Sequence, residues 1–270
     1  MIRVDFLKLH GLGNDFILID ERSGTRIPEA MKSDFAVRCC DRHRGVGADG
    51  VLFVGAHGEG VSLRIFNADG SEAEMCINGI RCVSLAMRLR LDPRRHETEI
   101  ATPAGTVRTK VLELESKLEG TVEALTNIRP RYEGRKRIRA GGRALVYHLV
   151  NVGNPHAVTF LNQDISSIDV EGIGHALEHS TDFSPDGVNA EFVNRIASGC
   201  LRMRVHERGA CETQACGSGA IAAAVAAQQM EPSQNGWLVK MPGGPLEVVL
   251  GKQTVIRGPA ALSFEGRTYS

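Results

Sequence analysis

Asn67-Ala68-Asp69-Gly70-Ser71-Glu72-Ala73-Glu74-Met75-Cys76-Ile77-Asn78-Gly79-Ile80-Arg81 is one of two similar stretches in this chain. The other is Glu207-Arg208-Gly209-Ala210-Cys211-Glu212-Thr213-Gln214-Ala215-Cys216-Gly217-Ser218-Gly219-Ala220. An offset of 140 residues carries Cys76 onto Cys216, Glu72 onto Glu212 and Gly79 onto Gly219, and it also carries Gly13-Asn14 onto Gly153-Asn154. Two regions sharing one offset argue for duplicated halves, while two copies are too few for a repeat array. In each copy the cysteine follows a polar stretch and precedes turn-forming residues and a helical run. Each therefore reads as a thiol at a helix N-terminus, where aligned peptide dipoles and N–H groups favour a thiolate.

Outward from these stretches, the chain alternates strands with few helices. Strands are expected at Val4–Leu9, Phe16–Ile19, Val51–Val54, Val61–Phe66, Glu97–Ala101 and Thr106–Leu114 in the first half. In the second half they are expected at Tyr147–Val152, Ala157–Leu161, Val188–Ile196, Cys200–His206, Leu238–Met241, Leu246–Leu250 and Gln253–Arg257. Helical spacing marks Pro28–Cys40, Ile80–Leu91 and the alanine-rich Ala220–Gln229. Strands preceding one central helix in each half predict an α+β architecture of two matching lobes. The charged run from Ser116 to Gly120 is the expected boundary, giving lobes over residues 1–118 and 119–261. The space between two lobes is where a small ligand is expected.

Composition narrows the function. The chain has 270 residues, a formal net charge of zero and 42% hydrophobic residues, values typical of a water-soluble globular protein. This balance predicts neither nucleic-acid nor membrane partners. The basic cluster Arg135-Lys136-Arg137-Ile138-Arg139, followed by Gly141-Gly142, reads as a solvated hairpin or loop. No stretch has signal-peptide or membrane-spanning length. Seven cysteines without small secreted spacing favour free thiols in a reducing compartment, hence the cytoplasm. Cys39, Cys40, Cys82 and Cys200 are assigned to packing.

The remaining motifs have simpler readings beside the functional ones. Neither Cys39-Cys40 with His43 nor Cys76 with Cys82 makes a CxxC pair, and no HExxH is present, so no metal site is expected. Gly11-Leu12-Gly13 and Gly217-Ser218-Gly219 lack the Lys-Ser/Thr of a phosphate loop. What survives is that Asn78-Gly79 and Gly217-Ser218 expose N–H groups at helix starts, where a carboxylate binds. His156, after the second Gly-Asn turn, is expected in a cleft. Arg208, beside Glu207, is placed to grip a second carboxylate in bidentate fashion.

Taken in order, these motifs resemble the diaminopimelate epimerase family. The matching segments are His10-Gly11-Leu12-Gly13-Asn14-Asp15-Phe16, Asp41-Arg42-His43 with Gly45–Gly50, Phe66–Cys76, Gly153-Asn154-Pro155-His156, Gly187-Val188-Asn189, Glu207-Arg208-Gly209 and Ala215-Cys216-Gly217. The resemblance implies two pseudo-symmetric lobes, each a half-open mixed β-barrel around a central helix, with a final strand over residues 262–270 returning to the first lobe. It implies an isomerase without cofactor that interconverts LL- and meso-diaminopimelate, in the synthesis of lysine and peptidoglycan precursors.

By the same resemblance, Cys76 and Cys216 form the acid–base pair, with His156 and Glu207 tuning the thiols. The distal end of an amino-acid dicarboxylate would be held by Asn14, Asn67, Asn154, Asn189, Glu207 and Arg208. Backbone groups near Ile77, Asn78, Gly79, Gly217 and Ser218 would hold the reacting carboxylate. A homodimer is compatible with this reading.

The family usually has Gly where this chain has Ile77 and Cys211, and often Thr where it has Ser218. A branched side chain beside the first cysteine would crowd the carboxylate or require an unusual backbone. Ile77 thus leaves open a racemase for another amino acid, or a non-catalytic thiol or binding protein of the same fold. Cys211 adds a thiol open to oxidation.

Overall fold

The computed structural model describes residues 3–269, and the chain divides into two compact units, Met1–Asn127 with Arg257–Ser270, and Ile128–Ile256. Met1 and Ile2, assigned from sequence to the first lobe, and Ser270, assigned to its returning strand, lie outside the described residues.

The first unit contains β1 (Arg3–Gly11), β2 (Asn14–Asp20), α1 (Lys32–Cys40), β3 (Gly50–His57), β4 (Gly60–Asn67), the short β5 (Glu72–Ala73), α2 (Ile77–Ala86), β6 (Glu97–Thr102), β7 (Gly105–Glu113) and β8 (Glu119–Thr126). Strand pairing runs from β1 to β2, β3, β4, β6, β7 and β8, and mixes senses: β2–β3 and β4–β6 are parallel, the others antiparallel. The seam at β4–β6 is narrow, with only the pairs 61–100 and 62–101.

Every residue of α2 is buried, because the strands wrap around it. Its Ile80, Val83 and Leu85 share a core with Phe16, Leu18, Leu52, Leu63, Val122 and Ala124. A second core on the outer face joins Ile17, Ile19, Val51 and Phe53 to Phe35 and Ala36 of α1. Odd and even residues of β2 therefore feed different cores. A strand covered on both faces reads as the unbroken apolar run Phe16–Ile19, with no alternation.

The second unit repeats this plan. It contains β9 (Arg131–Ala140), β10 (Arg143–Asn151), β11 (Pro155–Phe160), α3 (Val170–Glu178), β12 (Asn189–Ala197), β13 (Cys200–Glu207), β14 (Cys211–Thr213), α4 (Gly217–Gln228), β15 (Gly236–Met241) and β16 (Gly244–Val249). Here β11–β12 and β13–β15 are the parallel pairs, the latter again short, over the pairs 200–238, 201–239 and 202–240. α4 takes the place of α2 and is buried through Ala227 apart from Ser218. Its alanines leave room for surrounding strands to pack close, as small side chains at a helix surface allow. On the outer face, Ile173 and Leu177 of α3 pack with Tyr147, Ala157 and Phe192.

The last strand, β17 (Thr254–Tyr269), begins in the second unit and finishes in the first. From Ala261 to Tyr269 it pairs antiparallel with β1, and the Leu262 N–H donates to the Leu118 carbonyl at 2.7 Å. The eight strands β1, β2, β3, β4, β6, β7, β8 and β17 thus form a circuit around α2.

Three local expectations need revision. The boundary lies at 127/128 and 256/257, not at 118/119 and 261/262. The reason is β8: Val122 and Ala124 alternate into the first unit's core, so the charged run before it is only a turn. The basic cluster Arg135–Arg139 lies in the first strand of a hairpin, one of the two readings expected, and joins β10 through Gly141-Gly142 with positive φ at both glycines. The helix read as Ile80–Leu91 begins at Ile77 and ends in a π-turn over Met87–Leu91, closed by the Asp92 N–H on the Met87 carbonyl at 2.8 Å. α3 had no counterpart in the sequence reading, although Asp169 caps it with its carboxylate on the Gly172 N–H.

Candidate active site: two cysteine-capped helices

In the first unit Cys76 is the N-cap of α2, with extended backbone (φ −140°, ψ 113°). The first helical backbone bond runs from the Ile80 N–H to the Cys76 carbonyl at 2.9 Å, so the N–H groups of residues 77 to 79 precede the intrahelical ladder. The Cys76 sulfur lies 3.8 Å from Asn14 Oδ1. Asn14 is delivered to this point by the tight turn Leu12-Gly13, whose φ angles of 59° and 85° reverse β1 into β2.

Asn14 is itself held on both sides. Asn78 Nδ2 donates to its Oδ1 at 3.2 Å, and its Nδ2 donates to Asp49 at 2.8 Å. Arg81, fully buried, donates to Asn78 Oδ1 at 2.8 Å. Burial holds the Arg81 pKa down to about 10. At the other end Arg42 bridges Asp15 and Asp49 at 2.7 Å each, and Lys8 pairs with Asp15 at 2.6 Å. Partial burial would raise the Asp15 carboxyl, but hydrogen bonds from Arg42 and Lys8 outweigh it and bring the pKa down to about 2. The Asn78 side chain is thus occupied by the scaffold, and its backbone is what the helix start offers a ligand.

Ile77 resolves a question raised by the sequence. It is the first helical residue, buried, and has no positive φ, so the branched side chain needs no unusual backbone. Cys211 is the departure that carries strain: its φ of 61° lies in the left-handed region, where Gly is at ease and a residue with a Cβ is not. Asn67, at the end of β4, donates to Ser71 Oγ at 2.9 Å and anchors the turn before β5.

In the second unit Cys216 caps α4 in the same manner (φ −124°, ψ 116°), and its sulfur accepts from the Gly219 N–H at 3.3 Å. Ser218 Oγ lies 3.4 Å from the sulfur. Contrary to the thiolate-favouring setting expected from sequence, Cys216 is buried, and its pKa is raised well above the usual thiol value. Desolvation is the main cause. The charges of Glu207 and Glu191 add to it, against the opposing hydrogen bond with Ser218. Cys216 therefore rests as the thiol.

Glu191 is the residue that sequence reading missed. It is fully buried on β12 and meets His156 Nδ1 at 2.6 Å, while Asn154 Oδ1 lies 3.1 Å from His156 Nε2. Burial raises the Glu191 pKa, with His156 opposing. A Cβ at Gly219 would come within 2.9 Å of Glu191 Oε1, so the acid sits directly against the first turn of α4. The strand-like stretch Val188–Ile196 also carries Asn189, Asn194 and Arg195, so an acid within it gives no local sign of burial.

The other expected residues cluster at the end of β13. Glu207 accepts from the Thr213 hydroxyl, Asn189 Oδ1 accepts the Arg208 N–H at 2.8 Å, and the exposed Arg208 guanidinium donates to the Asp186 carbonyl.

Against this geometry the comparisons are decisive. The family profile described as diaminopimelate epimerase matches residues 6–124 and 148–262. The chain belongs to the diaminopimelate epimerase family. A diaminopimelate epimerase of Cyanothece sp. is 41% identical over 97% of this chain and 99% of its own. Another, of Methanothermobacter thermautotrophicus, is 39% identical over 97% of each. Among solved structures, a phenazine biosynthesis PhzF-family protein of Bacillus anthracis superposes with a TM-score of 0.76 at 14% identity, covering all of both chains. A hydroxyproline epimerase of Agrobacterium vitis, solved with trans-4-OH-L-proline, gives 0.71 at 15% identity over 99% of this chain and 91% of its own. These two share this chain's α+β fold.

Proposed function

We propose that this protein is an isomerase interconverting LL- and meso-diaminopimelate by proton transfer at one α-carbon, with Cys76 and Cys216 as the acid–base pair and no cofactor. The carrying observation is that each unit presents one cysteine as the N-cap of its wrapped helix, at positions 140 residues apart. Identity near 40% along the whole chain to diaminopimelate epimerases supports the substrate.

The α-hydrogen of an amino acid is a very weak acid, so charge developing on the α-carbon and its carboxylate must be stabilised as it forms. In this reading the first-turn N–H groups of α2 and α4 do so, reinforced by the positive ends of both helix dipoles. Cys216, resting as the thiol, donates a proton, while Cys76 as thiolate removes one, and the roles exchange with the handedness of the substrate. Glu207, Glu191 and His156 set the proton affinity of Cys216. Asn14, with Arg208 and the asparagines at 67, 154 and 189, is assigned to the distal amino and carboxylate groups. Seven free cysteines support a reducing, cytoplasmic setting, and the product would serve lysine and peptidoglycan-precursor synthesis.

The test is incubation of the reduced protein with LL-diaminopimelate in deuterium oxide. Deuterium at a single α-carbon, with meso product, is expected. Folded, reduced protein that introduces no label overturns the proposal.

A further inference from the structure

The outer helix of the second unit carries a group of side chains the epimerase chemistry does not use. His175 and Glu178 lie in the last turn of α3 and His179 is its C-cap residue, and one ligand atom from each falls within 4.8 Å of the other two. The run His175-Ala176-Leu177-Glu178-His179 has the H-x-x-E-H spacing that places two imidazoles on one helix face, as helical zinc pairs require. Neither the CxxC nor the HExxH pattern covers this reversed order.

Three features prepare these groups for a cation. His179 Nδ1 lies 3.0 Å from the His175 carbonyl, which sets Nδ1 as the proton-bearing nitrogen and leaves the Nε2 lone pair outward. Metal-bound histidines are commonly oriented by such a bond from the second ring nitrogen. The two exposed rings already lie together, with centroids 4.2 Å apart and planes tilted by 41°. Glu178 is fixed from behind, accepting from the Gly209 N–H at 3.0 Å and meeting His206 Nε2 at 2.9 Å. Those contacts engage both of its carboxylate oxygens. They also occupy Glu178 as a structural acceptor, which argues against its serving as a general base for a metal-bound water.

We infer that His175, His179 and Glu178 form a structural binding site for a divalent late transition metal of the zinc class, on α3. Imidazole and carboxylate donors together suit zinc, and bonds of ~2 Å to a tetrahedral ion need donor separations of ~3.3 Å, a closure that the two exposed rings reach by side-chain rotation. Through Glu178 the ion would brace the Gly209 turn that follows Glu207-Arg208. This assignment is independent of the proposed epimerase activity.

Cobalt(II) is the probe, because its visible bands report ligand type. The reduced full-length protein is titrated with it, in parallel with His175→Ala, His179→Ala and the double variant. All are checked for unchanged circular dichroism, since both histidines are exposed. The expected result is one equivalent bound with d–d bands of nitrogen and oxygen ligation. Affinity should weaken at least tenfold in each single variant and be lost in the double one. Equal affinity in the double variant, or bands dominated by thiolate-to-cobalt charge transfer, overturns the site.

Discussion

Arg204 and Glu212 face each other through two parallel contacts, Nε to Oε1 and Nη2 to Oε2, each 2.7 Å long. At the same 140-residue offset Arg64 grips Glu72 at 2.7 and 2.9 Å. Each pair ties a long strand to the short one that leads into a cysteine, so the duplication preserves the clamp as well as the cysteine. The two clamps differ in burial and in reach. Arg204 also donates to the Ile165 and Ile168 carbonyls at 2.7 and 3.0 Å, anchoring the turn before α3.

Arg204→Ala should therefore cost more than Arg64→Ala. The former strands partly buried carbonyls and a carboxylate, at roughly 2–3 kcal/mol. The latter removes a more exposed pair, worth about 0.5–1 kcal/mol. Urea denaturation of both variants measures the difference, and equal losses would contradict it.

Replacing either cysteine should abolish turnover without unfolding the chain. Cys76→Ser and Cys216→Ser are each expected to lower conversion of LL- to meso-diaminopimelate by about 10²–10⁴-fold, the usual worth of a positioned acid or base. Amino-acid analysis on a chiral column follows the reaction.

Thiol labelling should follow exposure and proton affinity. Iodoacetamide at neutral pH is expected to modify exposed Cys211 early and Cys216 late, with peptide mass spectrometry reading the order. Because the Cys216 pKa is raised in the folded state, its contribution to stability is full below the ordinary thiol pKa and is lost as pH rises through the folded value. Glu191→Gln removes a like charge, so the labelling midpoint of Cys216 should move to lower pH. An upward movement would exclude the assigned electrostatic role.

At Cys211 a stabilising change is available. Cys211→Gly relieves a left-handed φ in a residue bearing a Cβ, a gain of about 1–2 kcal/mol, offset in part by the greater freedom of Gly in the unfolded chain. A net increase of about 0.5–1 kcal/mol is expected in chemical denaturation.

Acid should loosen the Asn14 network. Asp15, lowered from 3.8 to about 2, stabilises the fold at pH above 3.8, and that contribution disappears as pH falls through about 2. Discounted for its partial exposure, the effect is about 1–2 kcal/mol. Asp15→Asn should flatten this part of the stability–pH curve.

Much of this was legible in the sequence. The offset linking Cys76 to Cys216 disclosed the duplication because identical local chemistry survives at both helix starts. β2 and β3 were visible as apolar runs, being covered on both faces. What escaped depended on packing across long separations. β8 reads as polar and charged until its alternate residues are matched to the surface of α2. α3 was hidden by the polar residues of its exposed face. Glu191 could be found only once the barrel set it beside His156 and Gly219, since nothing local distinguishes a buried acid from a solvated one. The setting of Cys216 was misread for the same reason, because local polarity around a cysteine does not report the depth of the helix it caps.

The sixteen residues of β17 impose an order on biogenesis. On the ribosome, the strand that completes the first unit emerges only after all of the second has been made. Meanwhile β1 and β8 wait with unpaired edges, a state that invites the wrong partner. The half that is translated first is thus the last to close, and proteolytic clipping near residue 260 would undo it while sparing the later-made half.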